Sequence, residues 1–458
     1  MKSLFLWIIT IAYAFIAYLF IFGVFVFLID VQVPTELEYD SALFKTPSAD
    51  TQYAYLVEAR QYAFDLRLAL IHHAEETIDI SYYAVHEGRS RDIFFGALLD
   101  AADRGVFIRF IVDGFIEGRG FNDSSAMKAL ASHPNITIAN YEIFDLRAPY
   151  AVQNRLHDKL IIVDAQYGLI GGRNIGDRYY FDDSDLASPT HDRDVLIFGH
   201  PSVAVKDMSD YYDYLFNHPY SSILTSDVTA DFTPFTSLYN QYLSESNLVL
   251  TTTMDAVHDN AFKVDNVSFI RSPLDRFNKT PVVFNTLIEL ALDYDDFIVQ
   301  SPYIILSQPM REMFKEIRYE RMVLLTNHPY TNPNIFAVSG YLRVRQDLAT
   351  QTTLFEYQKP LSLHTKTIIM GDDISVIGSI NIDPRSVFLS TESVVIIYDK
   401  AFNAHMRETI ETYLQDSLQV DQDLEYIEGS IEPIQYSNSR RLLAHLFKYL
   451  TYFFDQML

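Results

Sequence analysis

The sequence contains no cysteine in 458 residues. That excludes disulfides, thiolate metal sites and cysteine nucleophiles, and it is compatible with either side of a membrane. Positive charge is scarce as well: 35 Lys and Arg stand against 60 Asp and Glu, a net charge of −25. A surface that binds DNA or RNA is normally basic, so nucleic acid is not the expected partner. The same balance argues against electrostatic docking onto anionic lipid, and any membrane contact has to come from apolar segments. An acidic surface also serves simply to keep a protein soluble.

Charge is missing altogether from residues 4–29, LFLWIITIAYAFIAYLFIFGVFVFLI. About 20 apolar residues cross a bilayer as a helix, whereas the apolar core of a cleaved signal peptide usually runs to only about 7–15. No small-residue cleavage pattern follows; the chain continues Asp30-Val31-Gln32-Val33-Pro34. A retained single-pass anchor is therefore expected over residues 1–30. Lys2 precedes it, while Asp30, Glu36, Glu38 and Asp40 follow before the first positive residue, Lys45. By the positive-inside rule the N-terminus lies in the cytoplasm and the bulk of the chain outside the cell membrane.

Hydrophobic residues make up 49% of the chain, enough to bury a sizeable core, and the length suits two domains or one domain built twice. After a polar linker over 31–55, strand and helix patterns alternate. Thr77 to Tyr83 alternates as a strand, Ile93 to Arg104 reads as a helix stopped by Gly105, and Val106 to Val112 is a buried-strand run. The order returns with Phe297 to Tyr303, a helix over Met313 to Arg321, and Met322 to Leu325. This predicts an α/β protein of two similar halves, 56–225 and 265–425. Each is a mixed sheet flanked by helices, with a connector over 226–264 and the active site at their interface. The tail, 426–458, holds the apolar stretch Arg440 to Phe454 with basic punctuation. It suits an interfacial membrane helix or a terminal helix packed on the core.

The first half carries His157-Asp158-Lys159-Leu160-Ile161-Ile162-Val163-Asp164 and, six residues later, Gly171-Gly172-Arg173-Asn174. The second carries His364-Thr365-Lys366-Thr367-Ile368-Ile369-Met370-Gly371 and, again six residues later, Gly378-Ser379-Ile380-Asn381. A lone His-x-Lys means nothing, but two copies with the same downstream spacing are specific. In a strand, residues two apart share a face, so each histidine points with its lysine. The Gly-Gly and Gly-Ser pairs allow a tight turn that returns Asn174 and Asn381 toward the same place. Two imidazoles facing each other across two ammoniums and two amides suit a phosphodiester. Lysines and asparagines, with Gly172 and Ser379, hold the phosphoryl oxygens. One histidine attacks phosphorus and the other handles the proton of the leaving and incoming alcohols, with no metal or cofactor required. Each histidine needs a partner to fix its tautomer, and Asp194 and Glu392, acids that open apolar strands downstream of each motif, are the candidates.

The two motifs match the phospholipase D superfamily signature, H-x-K-x4-D-x6-G-[GS]-x-N. The stretches His157 to Asp177 and His364 to Ser386 resemble those of bacterial cardiolipin synthases, as do Asp79 to Tyr83 and the tail. The resemblance implies two α/β halves around a central cleft and a phosphohistidine route, with His157 as nucleophile, His364 as acid/base, and Lys159, Lys366 and Asp164 completing the catalytic set. It also implies phosphatidylglycerol, with phosphatidylethanolamine as an alternative donor, as phospholipid substrates at a membrane. One position departs from the pattern: Gly371 stands where the first motif has Asp164, with Asp372 and Asp373 just after. The family's aspartate mainly supports the structure, so activity is expected to survive, with Asp372 as a substitute through a shifted turn if the acid matters. Smaller expectations are that Tyr83 and Tyr303 line the cleft and that Arg385 binds a second phosphate or sits in a salt bridge. Asp182, Asp183 and Asp185 are expected in a solvated loop. Transfer to a lipid alcohol competes with hydrolysis by water, and less favourably with a non-lipid phosphodiesterase or nuclease.

Overall fold

A computed structural model describes residues 2–28, 40–115, 125–182, 189–226, 230–246, 250–277, 279–315, 317, 321–332, 334–436 and 438–457. The linker residues Asp30, Glu36 and Glu38, and the loop residues Asp183 and Asp185, lie outside the described set. The charge-free run forms helix α1 (Lys2–Gly23) with a 3-10 turn after it (Phe25–Leu28). The apolar span Phe5–Phe27 is 23 residues, long enough to cross a bilayer, and most of its side chains are exposed. Its far end is not: Phe27 is buried in the protein core.

The first part of the chain supplies β1 (Gln52–Val57), β2 (Thr77–Tyr82), β3 (Phe107–Asp113), β4 (Ile136–Tyr141), β5 (Lys159–Val163), β6 (Tyr167–Gly171), β7 (Thr190–His191), β8 (Asp194–Gly199), β9 (Ser221–Ile223) and β10 (Phe262–Val264). All but β7 form one sheet, ordered β10-β1-β8-β6-β5-β2-β3-β4-β9. The second part supplies β11 (Asn266–Arg271), β12 (Phe297–Gln300), β13 (Met322–Asn327), β14 (Thr353–Tyr357), β15 (Ser362–Leu363), β16 (Thr367–Met370), β17 (Ile374–Gly378), β18 (Ser393–Tyr398) and β19 (Ser417–Val420). All but β15 form the sheet β11-β18-β17-β16-β12-β13-β14-β19. The run β8-β6-β5-β2-β3-β4-β9 thus repeats as β18-β17-β16-β12-β13-β14-β19. In both, the strands of the βαβ rhythm (β2-β3-β4 and β12-β13-β14) are parallel and their neighbours antiparallel. Two mixed sheets with helices on their outer faces, and the helices Val203–Phe216 and Lys400–Gln415 packed into the layer between them, make the expected α/β duplication. The stretch expected as a connector is itself structured: helices Thr233–Ser246 and Leu250–Asn260 pack on the helices of the first sheet, and β10 extends its edge.

Side-chain alternation explains how the sheets come together. In β5, Ile161 and Val163 enter the core under the first sheet's helices, while Leu160 and Ile162 face the other way. There they meet Ile298, Leu325, Ile369, Ile377, Val395 and Ile397 from the second sheet in one shared apolar layer. Both faces of each sheet are therefore covered, which is why the strands read as continuous Ile/Val/Leu runs. Each such side chain contributes about 1.5–3 kcal/mol on burial, and the shared layer fixes the two halves against each other. Two short seams finish the junction. β7 pairs with β15 in parallel, Thr190 opposite Ser362 and Leu363 opposite His191, and Leu156 bridges to Thr391.

Candidate active site

Each seam delivers a histidine. The His157 N–H donates to Thr391 O at 3.0 Å, just ahead of β5, and the His364 N–H donates to His191 O at 2.7 Å, just ahead of β16. The residue following each of those carbonyls is an acid: Glu392 and Asp192. Glu392 Oε2 lies 2.9 Å from His157 Nδ1, and Asp192 Oδ2 lies 2.6 Å from His364 Nδ1. Each imidazole is therefore held by a carboxylate from the opposite half. With Nδ1 engaged, Nε2 is the nitrogen left for chemistry. Lys159 Nζ donates to His157 O at 2.5 Å, and Lys366 Nζ sits 2.8 Å from His364 Nδ1 and 3.2 Å from its Nε2. Both lysines follow their histidines by two residues and share their face, as the spacing requires.

Burial sets the electrostatics. Burial, helped by the Lys159 and Lys366 ammoniums, pushes His157 well below the usual imidazole range, and burial with Lys366 brings His364 down to about 3. In the empty cleft both rings are therefore drawn toward their neutral forms. Burial also lowers Lys159 to about 7 and Lys366 to about 8 and raises Glu392 to about 7. Asp192 resists the same burial: Lys366 and His364 draw its carboxyl down to about 2. An anionic phosphodiester placed against the two ammoniums would favour their protonated forms.

Asn174 and Asn381 complete the ring. The Asn174 amide donates to Tyr179 Oη at 3.1 Å and the Asn381 amide to Tyr303 Oη at 3.2 Å. The Tyr83 ring meets the His157 ring edge-on at 4.9 Å. These groups line one cleft of about 790 Å³, together with Tyr179, Arg385, Val24, Phe336 and Met457. Tyr83 and Tyr303 thus both line the cleft. Arg385 does too, but its guanidinium is bonded to Gln153 Oε1 and Met457 O.

Four expected roles do not fit the geometry. Asp194 does not touch His364; it is fully buried between Arg67 (2.8 Å) and Arg173 (2.9 Å), an ion triad that fastens β8 to its neighbours. The equivalent of Glu392 is Asp192, as register shows: Gly171 pairs with Asp194 and Gly378 with Val394. The count from motif to acid differs, 18 residues from Asn174 to Asp192 and 11 from Asn381 to Glu392, because the first half has a longer loop. Asp164 is not at the reacting end of β5. At the opposite end it accepts the backbone N–H groups of Glu75, Glu76 and Thr77 at 2.7–2.9 Å, a structural clamp. Gly172 and Ser379 do not face the cleft. A Cβ on Gly172 would lie 2.1 Å from Asp192 Oδ1, so glycine is what lets that acid reach His364. Ser379, wholly buried, donates to Glu392 Oε2 at 2.5 Å. Both therefore seat the histidine-holding acids. Asp372 does not replace the missing aspartate either; it is exposed and paired with Lys400. Asp192 and Tyr179 were the site residues missed. The signal for Asp192 was available in the pairing of His191-Asp192 with Thr391-Glu392 as the residues before each apolar strand. Among the described residues no cluster of His, Asp and Glu suits a metal ion.

A family model described as the cardiolipin synthase, phospholipase D-like domain matches the chain twice, over residues 68–204 and 295–414. An uncharacterized protein of Helicobacter pylori is 27% identical over 404 residues, 77% of this chain and 77% of its own length. Cardiolipin synthase C of Escherichia coli is 26% identical over 390 residues, 73% of this chain and 79% of that protein. Among solved structures, phosphatidylserine synthase of Haemophilus influenzae superposes with a TM-score of 0.65 at 15% identity, covering 91% of this chain and 98% of that one. At that identity the likeness speaks for the fold. The two family matches fall on the two halves that carry the two histidines and together span more than half the chain, so the protein belongs to the cardiolipin synthase family of phospholipase D-like domains.

Proposed function

We propose that this chain is a phosphatidyltransferase of the phospholipase D type, working as a cardiolipin synthase. The observation that carries the reading is the pair of carboxylate-held imidazoles, one from each half, that line one cleft, each with a buried lysine two residues further on. His157 Nε2 attacks the phosphorus of phosphatidylglycerol; the P–O bond to glycerol breaks as the P–N bond forms. With the anionic phosphodiester and ionised Asp192 beside it, His364 enters the step as the imidazolium and gives its Nε2 proton to the departing glycerol oxygen. It then takes the proton of a hydroxyl on a second phosphatidylglycerol, whose oxygen attacks phosphorus and breaks the P–N bond. Cardiolipin leaves and both imidazoles return to their starting state. Lys159, Lys366, Asn174 and Asn381 offset the charge that builds on the phosphoryl oxygens. Asp192, which stays ionised, supports the imidazolium form of His364 from which the cycle starts and to which it returns. Phosphatidylethanolamine in place of the first phosphatidylglycerol would release ethanolamine by the same steps.

The apolar N-terminal helix is read as a single membrane span with the catalytic halves outside the cytoplasm. Supporting the lipid reading, its last residue, Gly23, accepts the Gln153 side-chain N–H at 3.0 Å beside the cleft, and Val24 lines the cleft. The test is lipid mass spectrometry on the purified protein given phosphatidylglycerol, with and without phosphatidylethanolamine. Cardiolipin with released glycerol or ethanolamine is expected. Phosphatidic acid alone would make the protein a hydrolase, and unchanged lipid would turn attention to other phosphodiesters.

A further inference from the structure

The tail forms helix α2 (Asn438–Leu450), which the reading as a membrane enzyme leaves without a role. One face of α2 is packed. Ala444 is fully buried, Phe447 meets Phe336 edge-on at 5.5 Å, and Thr451, just past its end, bonds Ser339 at 2.8 Å. The opposite face is apolar and open to solvent: Leu442, Leu446 and Tyr449, spaced to share one side of a helix, are 73%, 53% and 74% exposed. Leu443 and Tyr452 extend this surface. Arg441, His445 and Lys448 run along one flank between the two faces. An apolar stripe edged by basic residues whose stems can lie along it, with tyrosines at its end, is the pattern of a helix lying in a bilayer surface.

Position argues for the same occupant. The segment after α2, Tyr452–Met457, packs against Phe25–Leu28, the turn that ends the apolar span, with Phe27 and Met457 in one buried cluster. The surface therefore continues from the place where the span enters the catalytic body. It also adjoins the cleft: Phe336, which contacts α2, and Val24, near the end of the span, both line it. We propose that the outward face of α2 lies on the bilayer beside the span and holds the cleft mouth against it, so that a phospholipid passes to the histidines without leaving the membrane. This rests on the reading of residues 5–27 as a membrane anchor.

The absence of cysteine makes the test clean, because Leu446→Cys in the full chain creates a single thiol for a bimane label, and Trp7, the only tryptophan, reports on the span. The labelled protein is reconstituted into phosphatidylglycerol–phosphatidylethanolamine vesicles with and without bromine on the acyl chains. Bromine is expected to quench both Trp7 and the label at position 446 at least twofold, and to leave a label on Lys206→Cys, exposed on helix Val203–Phe216, unchanged. A quenched Trp7 with an unquenched label at 446 overturns the proposal. So does disulfide pairing of two Leu446→Cys chains, which would put a second copy on this face. An unquenched Trp7 removes the anchor and the proposal with it. As a functional arm, Leu442→Asp with Leu446→Asp should keep turnover of detergent-dispersed lipid and lose at least fivefold on vesicles; equal loss on both overturns the route. The quenching readout stands whether or not the lipid product is cardiolipin, so failure of the two readings is told apart.

Discussion

At the scale of single residues, the site depends on two acids that look alike in sequence but do different work. Glu392 reaches across the junction to His157 Nδ1, whereas Asp194 neutralises two buried guanidiniums. Glu392→Gln keeps the shape but weakens the grip on the imidazole and its charge, and kcat is expected to fall by roughly 10²–10⁴ with the melting temperature little changed. Asp194→Asn should do the reverse. It leaves Arg67 and Arg173 buried and short of countercharge, at a cost on the order of 3–5 kcal/mol, so thermal denaturation should show a large loss of stability. Equal melting temperatures for the two variants would refute the division. The lysines set the pH dependence. Burial brings Lys159 to about 7 and Lys366 to about 8, so each loses its proton as pH rises through those values and the empty cleft loses its positive charge. Because kcat/KM reports the free enzyme, it should decline as pH rises through about 7 to 8, while bound phosphodiester moves the decline in kcat to higher pH. His157 is held neutral far into acid and adds no acid limb near pH 6. Superimposable alkaline limbs for kcat and kcat/KM would mean that the lysines do not meet the phosphoryl group.

Among the elements, the β5–β6 and β16–β17 hairpins are the unit that was duplicated, and they have diverged at the end away from the histidines. Asp164, at φ 51°, closes the first hairpin and accepts three backbone N–H groups from the turn before β2. Gly371, at φ +54°, closes the second, and a Cβ there would come within 2.4 Å of the Tyr294 ring. Tyr294 fills the space that an aspartate would occupy. Asp164→Ala should therefore lower stability by at least about 2 kcal/mol, as charge-assisted bonds are lost, and leave kcat of the folded enzyme near normal. Gly371→Asp should destabilise rather than restore anything, through the clash and the positive φ. Chemical denaturation with matched activity assays checks both; a rise in stability for Gly371→Asp would show that the tyrosine yields. The strands and the two His-x-Lys motifs were legible because apolar runs and fixed spacings are local properties. The partners of the histidines were not, because counting along the chain misplaces an acid whenever the intervening loop differs in length.

For the whole molecule, the exchange of acids makes the two halves interdependent. Neither half alone contains both a histidine and the carboxylate that holds it, and the Leu/Ile layer between the sheets would be exposed in each. Residues 40–264 and 265–458 produced separately are expected to show no turnover. Measurable activity from either, by the lipid assay above, would break the interdomain account. The sequence by itself determined the α/β duplication, the apolar span and the chemistry-bearing His, Lys and Asn residues, since these rest on composition, period and spacing within short stretches. Only the tertiary structure decided that Asp192 serves His364 and that Asp164, Gly172 and Ser379 act from behind the site. It alone showed, too, that the tail packs one face on the second half and turns the other outward beside the span. Those assignments depend on which distant segments the sheet registers and the shared apolar layer bring within a few ångströms, and no local pattern encodes that.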